Sequence, residues 1–435
     1  MMAACVLEML GDEDAKPLRG RMLGSKNVRR TRKKVKNLWA ELGCYARKAY
    51  RMSMEAFDIL HDTIEDALEE EFKSKDGDRD RGVTPNGDIP TKLRLSAALC
   101  FFAGGAVYDI MLTHGMGRAS VYKSVYGVVN VINAEKSLSF NENGAEFPSH
   151  DEQRDIAAGF LTKSGAGFDK IVLALDGMLV WTIQPNRADC EFLEIGERQF
   201  HCYRKDKFGF LLMAGCDHET KFRWADIRMP AICSDYLAWN SSKVGRKLSK
   251  DDCDIILEGH SIAGDNAFVE NMSMSTPIPG LHISDAEDAY NFYLSQLRIT
   301  IERAFGILVH RWGILRRPLS MSIVKVPALV TCLMRLHNFC IDHDSRRTPS
   351  PRQADERAIQ WSAGQMKGNP SAVTLGQHGA PEDLLGSGHH FRDEPGGRGR
   401  RPGVVQRERL TPMREMMKKV ADLDLSRPTL RGVLD

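Results

Sequence analysis

The chain has 435 residues, 42% of them apolar and 27% charged, with a formal net charge of only +2. That length accommodates two or three domains, and the near-neutral balance means an anionic partner must be argued from where basic residues cluster. No run approaches the ~18 uninterrupted apolar residues of a membrane-spanning helix, the N-terminus "MMAACVLEMLGDEDAKPLRG" lacks the basic start of a secretory signal, and ten cysteines without a C-x-x-C pair suggest reduced, buried thiols inside a cell.

In chain order, residues 19–36 hold nine Lys or Arg and no acid, centred on "VRRTRKKVK". A tract of this density suits nuclear import or contact with a DNA backbone, through Arg29, Arg30, Arg32, Lys33 and Lys34. We expect segment 1–41 to be disordered. From Ala40 the pattern turns helical, with Met54, Phe57, Leu60 and Ile64 on one stripe and Ser53 as a cap. A Gly- and charge-rich linker follows at 73–90. "TKLRLSAALCFFAGG" reads as a buried helix. "AVYDIMLTHGMGRASVYKSVYGVVNVI" reads as a short helix, a turn around Gly115–Gly117 and a second helix starting near Ser120. Two helices joined by a Gly-containing turn form a helix-turn-helix, in which Arg118, Ser120, Lys123 and Ser124 would lie near the base-contacting end. The bland alternative is a helical hairpin that binds nothing. We take 42–145 as a helical DNA-binding region.

The middle of the chain changes character. "KIVLALDGMLVWTI" is a continuous apolar strand interrupted by Asp176-Gly177. "FGFLLMAGCDHETKFRWADIRM" is a hairpin with its turn at Asp217–Thr220. A helix around 234–247, a short strand "SIAGD" and a long helix over 285–311 follow, the last opened by a Ser284-x-x-Glu287 capping box. This order predicts an α/β domain with a mixed sheet over 165–343. Residues 344–435 are rich in Arg, Gly, Pro and Ser and are expected to be largely disordered. The exception is "TPMREMMKKVADLDL", a short helix with Pro412 in its first turn and Met413, Met416, Met417 and Val420 on one face.

Three acids stand out by position. Asp176 interrupts a buried strand, Asp265 ends another, and Glu302 borders the apolar stripe of the long helix with Arg298 at i−4. Buried carboxylates need compensation, and hard divalent cations with oxygen ligands supply it; two such ions held by three acids perform phosphodiester transfer. The competing reading is two caps and a Glu302–Arg298 ion pair.

Several of these motifs resemble those of a known family. "RITIERAFGILVHRWGIL" is similar to the signature helix of PIF/Harbinger-type DDE transposases, "ALDGMLVWTI" to their first catalytic strand, "AGDNAF" to the second, and "LMRLHNFCI" to the closing helix. The upstream "YRMSMEAFDIL" and "LRLSAALCFFAGG" resemble the family's helical N-terminal region, so that the likeness runs over residues 49–343.

The resemblance implies an RNase H-like catalytic domain preceded by the all-α helix-turn-helix region. It implies a DDE endonuclease and strand-transferase with Asp176, Asp265 and Glu302 as catalytic acids and ligands of two divalent ions, Mg²⁺ or Mn²⁺. Asp265 and Glu302 stand 37 positions apart, compatible with this class. Asp235 falls where the family has a further recurrent Asp and is a second-tier candidate, together with Arg298, Arg303 and Arg311, which would face phosphate or pair with the acids. Double-stranded DNA of transposon terminal repeats, a Myb/SANT-like accessory protein, a homo-oligomeric state and a nuclear location are implied as well, and no membrane. The sequence departs from the family where Met178-Leu179 replace Thr-His and where Pro230–Ser234 replace the Pro-Gly-Ser lead-in to Asp235. A domesticated DNA-binding or chromatin-associated protein that keeps the fold without the reaction is the alternative. G-x-S-x-G, Walker and H-E-x-x-H motifs are absent from the sequence, which disfavours an unrelated hydrolase.

Overall fold

A computed structural model describes residues 31–73, 88–142, 146–249, 254–280, 283–344, 412–423 and 425–426. Helical structure begins inside the segment expected to be disordered. Helix α1 (Val35–Leu42) buries Val35 and Leu38, because Trp39, one turn above Val35, stacks on Tyr50 with ring centroids 4.6 Å apart. Residues 1–30 lie outside the described residues. Helices α2 (Ala46–Tyr50) and α3 (Met54–Phe72) follow, the latter capped by Ser53 as its sequence suggested.

Helix α4 (Thr91–Phe102) is central to the helical region, with Leu95, Ala97, Ala98 and Leu99 fully buried. Helices α5 (Val107–His114) and α6 (Arg118–Ala134) pack on it and on each other, joined by the glycine-containing turn. Gly115 closes α5 at φ +63°, and a side chain there would meet the Thr31 carbonyl at 2.3 Å. The turn is thus tight enough for residues 31–32, within the basic tract, to lie against it.

Helix α7 (His150–Lys163) was not anticipated, although Ser149 and Glu152 form a complete capping box at its start. It lies against β1 (Ile171–Thr182), whose first five residues are buried. After α8 (Arg187–Leu193) come β2 (His201–Cys202), β3 (Lys207–Cys216) and β4 (Phe222–Pro230). The expected helix around 234–247 is split at Ser242 into α9 (Asp235–Ser241) and α10 (Lys243–Leu248). Then β5 (Ser261–Ala263), β6 (Met274–Ser275), α11 (Asp285–Arg311) and α12 (Val326–His343) complete the body.

Strands β1, β3 and β4 are antiparallel neighbours, while β5 and β6 run parallel to β1 on its other side. The sheet is mixed and the chain is α/β with an RNase H-like order, preceded by a helical region, as the sequence predicted. Alternation along β1 sends Leu173 and Leu175 to the face covered by α9 and α10, where Trp224 meets Trp239 with ring centroids 5.1 Å apart. Ala174, Met178 and Val180 face the opposite core, built on α11 and α12.

Helix α12 is long and apolar enough by composition to cross a membrane, yet Cys332, Leu333, Leu336 and Cys340 are buried inside the body. Its polar residues clamp main chain. Arg335 donates to the carbonyls of Ile132 and Glu135 and pairs with Glu142. His337 bonds the Thr220 carbonyl at 2.9 Å. Asn338 accepts from the Phe222 N–H and donates to the Phe222 carbonyl, each at 2.9 Å, acting as a one-residue strand partner. The "RLHN" motif therefore joins the two halves of the protein.

Helix α13 (Pro412–Asp422) docks on α11 and on the lead-in to β1. Met416 and Val420 are buried, while Lys419 meets Asp169 at 2.5 Å and Lys170 meets Glu415 at 2.7 Å. The rest of the expected tail, 345–411, 424 and 427–435, lies outside the described residues. Fully burying a side chain of this size stabilises by about 1.5–3 kcal/mol, and the two ion pairs flank the buried face. We expect Asn338→Ala to strand two buried backbone groups and cost about 2 kcal/mol or more. Urea unfolding of the full chain is the measurement; an unchanged midpoint would contradict the clamp.

Candidate active site

Strand register brings the first two acids together. Ala174 of β1 is paired with Ala263 of β5 in parallel. Two residues farther along each chain stand Asp176 and Asp265, so the carboxylates sit side by side. Strand β5 has ended by then while β1 runs on to Thr182, and the acids gather at this open strand edge. The Asp265 carboxylate is oriented by the N–H of Ala267, at 2.9 Å, and that of Asp176 by the N–H of Gly177, at 2.8 Å.

The third member is Asp235, the first residue of α9, held in place by the Ser234 cap. Carboxylate oxygens of Asp176, Asp235 and Asp265 all lie within 4.8 Å of one another. The glycine after Asp176 makes this possible, because a Cβ at Gly177 would stand 2.0 Å from Oδ1 of Asp235. A second glycine, Gly264, precedes Asp265; a Cβ there would collide with Met274 Sδ at 2.8 Å and Phe268 at 2.9 Å. Asp-Gly on one strand and Gly-Asp on the other are thus packing requirements of the acid cluster.

Glu302 is not in that cluster. Its Oε1 accepts from Arg298 Nη1 at 2.6 Å, and the same Nη1 lies 3.9 Å from Asp176 Oδ2. Arg298 therefore bridges the long helix to β1, with Glu302 one guanidinium away from the aspartates. Glu302 reaches a cation held by the aspartates only by exchanging Arg298 for it. Its side chain is 41% exposed, which leaves room for that movement.

Burial raises the Asp176 pKa to about 7, with the negative charges of Asp265 and Glu302 acting in the same direction and Arg298 opposing them. Asp235 is raised for the same reasons, chiefly burial and then Asp265, and is lowered in part by Arg204 and Lys205. Those two cations lie in the β2–β3 turn. Burial, and then Arg204, lower the Lys205 pKa, while Cys202, Asp235 and Asp176 act to raise it. Nothing local in "HCYRKDKF" indicates that this turn folds back toward acids elsewhere in the chain, so the sequence gives no sign of its role.

The other expected residues are placed as follows. Arg303 lies toward Lys163, whose pKa is lowered first by burial and then by the Arg303 charge. Arg311 is at the far end of α11, where Nη1 lies 3.6 Å from Asp344 and donates to the Arg51 carbonyl at 3.3 Å. It is brought together with Arg47 and Asp344 rather than with the acids. Arg118 and Lys123 are exposed on α6 and Ser120 is half-buried. Ser124 is turned inward, donating to the Ser120 carbonyl and receiving from Arg94. Lys33 pairs with Glu41 and Arg32 donates to the Asp88 carbonyl, both at 2.6 Å. Lys34 lies just ahead of α1, while Arg29 and Arg30 are outside the described residues.

Three acidic oxygens from separate elements, partly buried, two of them on carboxyls whose pKa is raised, Asp176 and Asp235, fit a hard divalent cation. The sign of the pH effect follows. A carboxyl whose folded pKa exceeds its unfolded value of about 3.9 costs nothing at lower pH. Its cost grows between that value and about 7, then stays constant. In EDTA, Asp176→Asn should therefore raise the melting temperature, more at pH 8 than at pH 5. Equal gains at both values would contradict the assignment. Gly177→Ala should displace Asp235 and weaken Mn²⁺ binding by about tenfold or more, read by calorimetry, since it costs one charged ligand.

Residues 175–338 match the family model described as DDE superfamily endonuclease. No curated protein and no solved structure matches the chain. The matched segment opens at the residue before Asp176 and contains Asp235, Asp265 and Glu302.

Proposed function

We propose that the protein is a divalent-metal-dependent DNA endonuclease and strand-transferase of the PIF/Harbinger type, acting in the nucleus on transposon terminal repeats. The observation that carries this reading is the meeting of Asp176, Asp235 and Asp265 within 4.8 Å, inside the segment that matches the endonuclease family. These three carboxylates would hold the metal, with Glu302 joining once Arg298 releases it. Bound there, Mg²⁺ or Mn²⁺ supplies Lewis-acid activation of the attacking oxygen and charge relief on the leaving oxygen.

The chain's own residues do the rest. Arg298 neutralises Asp176 and Glu302 while the site lacks cation, and it is freed to face phosphate when Glu302 turns inward. Lys205 and Arg204, in the turn beside Asp235, place positive charge where a polyanion approaches. Asp176, with a pKa of about 7, changes charge close to working pH. Arg118 and Lys123 on α6, next to the basic tract at Gly115, form the basic face that would hold DNA by its backbone, with Ser120 beside them. A Myb/SANT-like partner and self-association belong to the same reading through the family resemblance.

The alternative, a DNA-binding descendant without the reaction, gives no reason to retain three mutually repelling carboxylates. A nicking assay on DNA carrying the element's terminal repeats, with purified protein and partner, separates the two. We expect cutting in Mg²⁺ and none in EDTA. Asp176→Ala, Asp235→Ala and Asp265→Ala should each reduce the rate by about 10²–10³-fold, the order seen when one transition-state stabilising group is removed. Arg311→Ala should affect stability only. Metal-independent DNA binding with no cutting would favour the alternative.

A further inference from the structure

Beside the acid cluster lies a cleft of about 150 Å³ between α9–α10 and the β5–β6 connection. Tyr236, Trp239, Phe268 and Val269 line it together with Asn240 and Asn271. Among the described residues no charged side chain lines it, so neither a metal nor a phosphate is the natural occupant. Its walls adjoin the acids in sequence: Tyr236 follows Asp235 directly, and the N–H of Phe268 donates to the Asp265 carbonyl at 3.2 Å. Gly264 is the feature that lets Phe268 and Met274 close together beneath it. Tyr236 and Val269 remain 42% and 61% exposed, while Trp239 and Phe268 are buried behind them, so the cleft is open on the side of Tyr236 and Val269.

We propose that this cleft accepts the base of the nucleotide whose phosphate lies at Asp176, Asp235 and Asp265. A base is flat, presents a π face to the exposed Tyr236 ring, and carries polar groups on its edge for the Asn240 amide and the Asn271 Nδ2. A paired base cannot enter, so occupancy requires that the nucleotide next to the scissile phosphate leave the stack. The cleft then fixes the phosphate's position and favours ends that open easily. This assignment rests on the phosphodiester-cleaving reading of the acids.

The test uses full-length protein, the four 2′-deoxynucleoside 5′-monophosphates as probes, and Ca²⁺ buffer. Saturation-transfer NMR should show stronger transfer to base protons than to deoxyribose protons. Tyr236→Ala removes a stacking wall and Val269→Trp blocks the mouth; both positions are exposed, and thermal melting verifies folding. Each variant should bind about tenfold more weakly, the order of one lost stacking partner. Transfer confined to the sugar, or wild-type affinity in both variants, overturns the proposal. Nicking of supercoiled plasmid in Mn²⁺ is measured on the same wild-type preparation. Nicking without base contact overturns the base site alone, whereas base contact without nicking supports the base site and removes the cleavage reading.

Discussion

Mutual repulsion among Asp176, Asp235 and Asp265 is the constraint around which this protein is organised. Three carboxylates within 4.8 Å in a half-buried setting are unfavourable unless cations compensate. Part of the compensation is built in. Arg298 lies between Asp176 and Glu302, and the β2–β3 turn brings Arg204 and Lys205 toward Asp235. The remainder is a raised Asp176 pKa, which is what a strained ligand set does when it holds a proton in place of a metal. A purely structural cluster would be expected to saturate its charges with arginines, and this one does not.

The scaffold's main task is to hold that arrangement against its own repulsion. The parallel β1–β5 register sets Asp176 beside Asp265. Gly177 opens the space through which Asp235 arrives, and Ser234 fixes the helix that carries it. Farther out, α11 anchors Arg298 by its apolar stripe, while α12 uses Arg335, His337 and Asn338 to fasten β4 and the helical region to the same frame. Arg311 contributes by locking the end of α11 to Asp344 and Arg51. The long helix is therefore pinned at both ends, by a capping box at Ser284 and by this ion pair, with Glu302 between.

Local patterns make most of the fold legible in the sequence alone. The apolar run of β1, the hairpin turn at Asp217–Thr220, the Ser284–Glu287 capping box and the Met416/Val420 face are properties of neighbouring residues, and each appears where the sequence placed it. Helix α7 was equally legible through Ser149 and Glu152, but its mean hydropathy is low and its apolar residues are few. What could not be read was proximity across the chain. Asp235 looked secondary because nothing near it reveals that its carboxylate lies over Gly177, and Lys205 was invisible for the same reason. Arg311 stands nine residues past Glu302 on one helix, about 13 Å along the axis, which already argued against a shared site. Glu302 itself illustrates both readings: in this state it is the ion-pair partner of Arg298, and its candidacy as a ligand rests on that pair being exchangeable.

The most direct test of the central claim is the anomalous scattering of Mn²⁺ soaked into crystals of the full chain. The account predicts an ion bound by oxygens of Asp176, Asp235 and Asp265, with Glu302 turned away from Arg298 toward it. Manganese absent from these carboxylates at saturating concentration, with Arg298 still bridging Glu302 and Asp176, would contradict it.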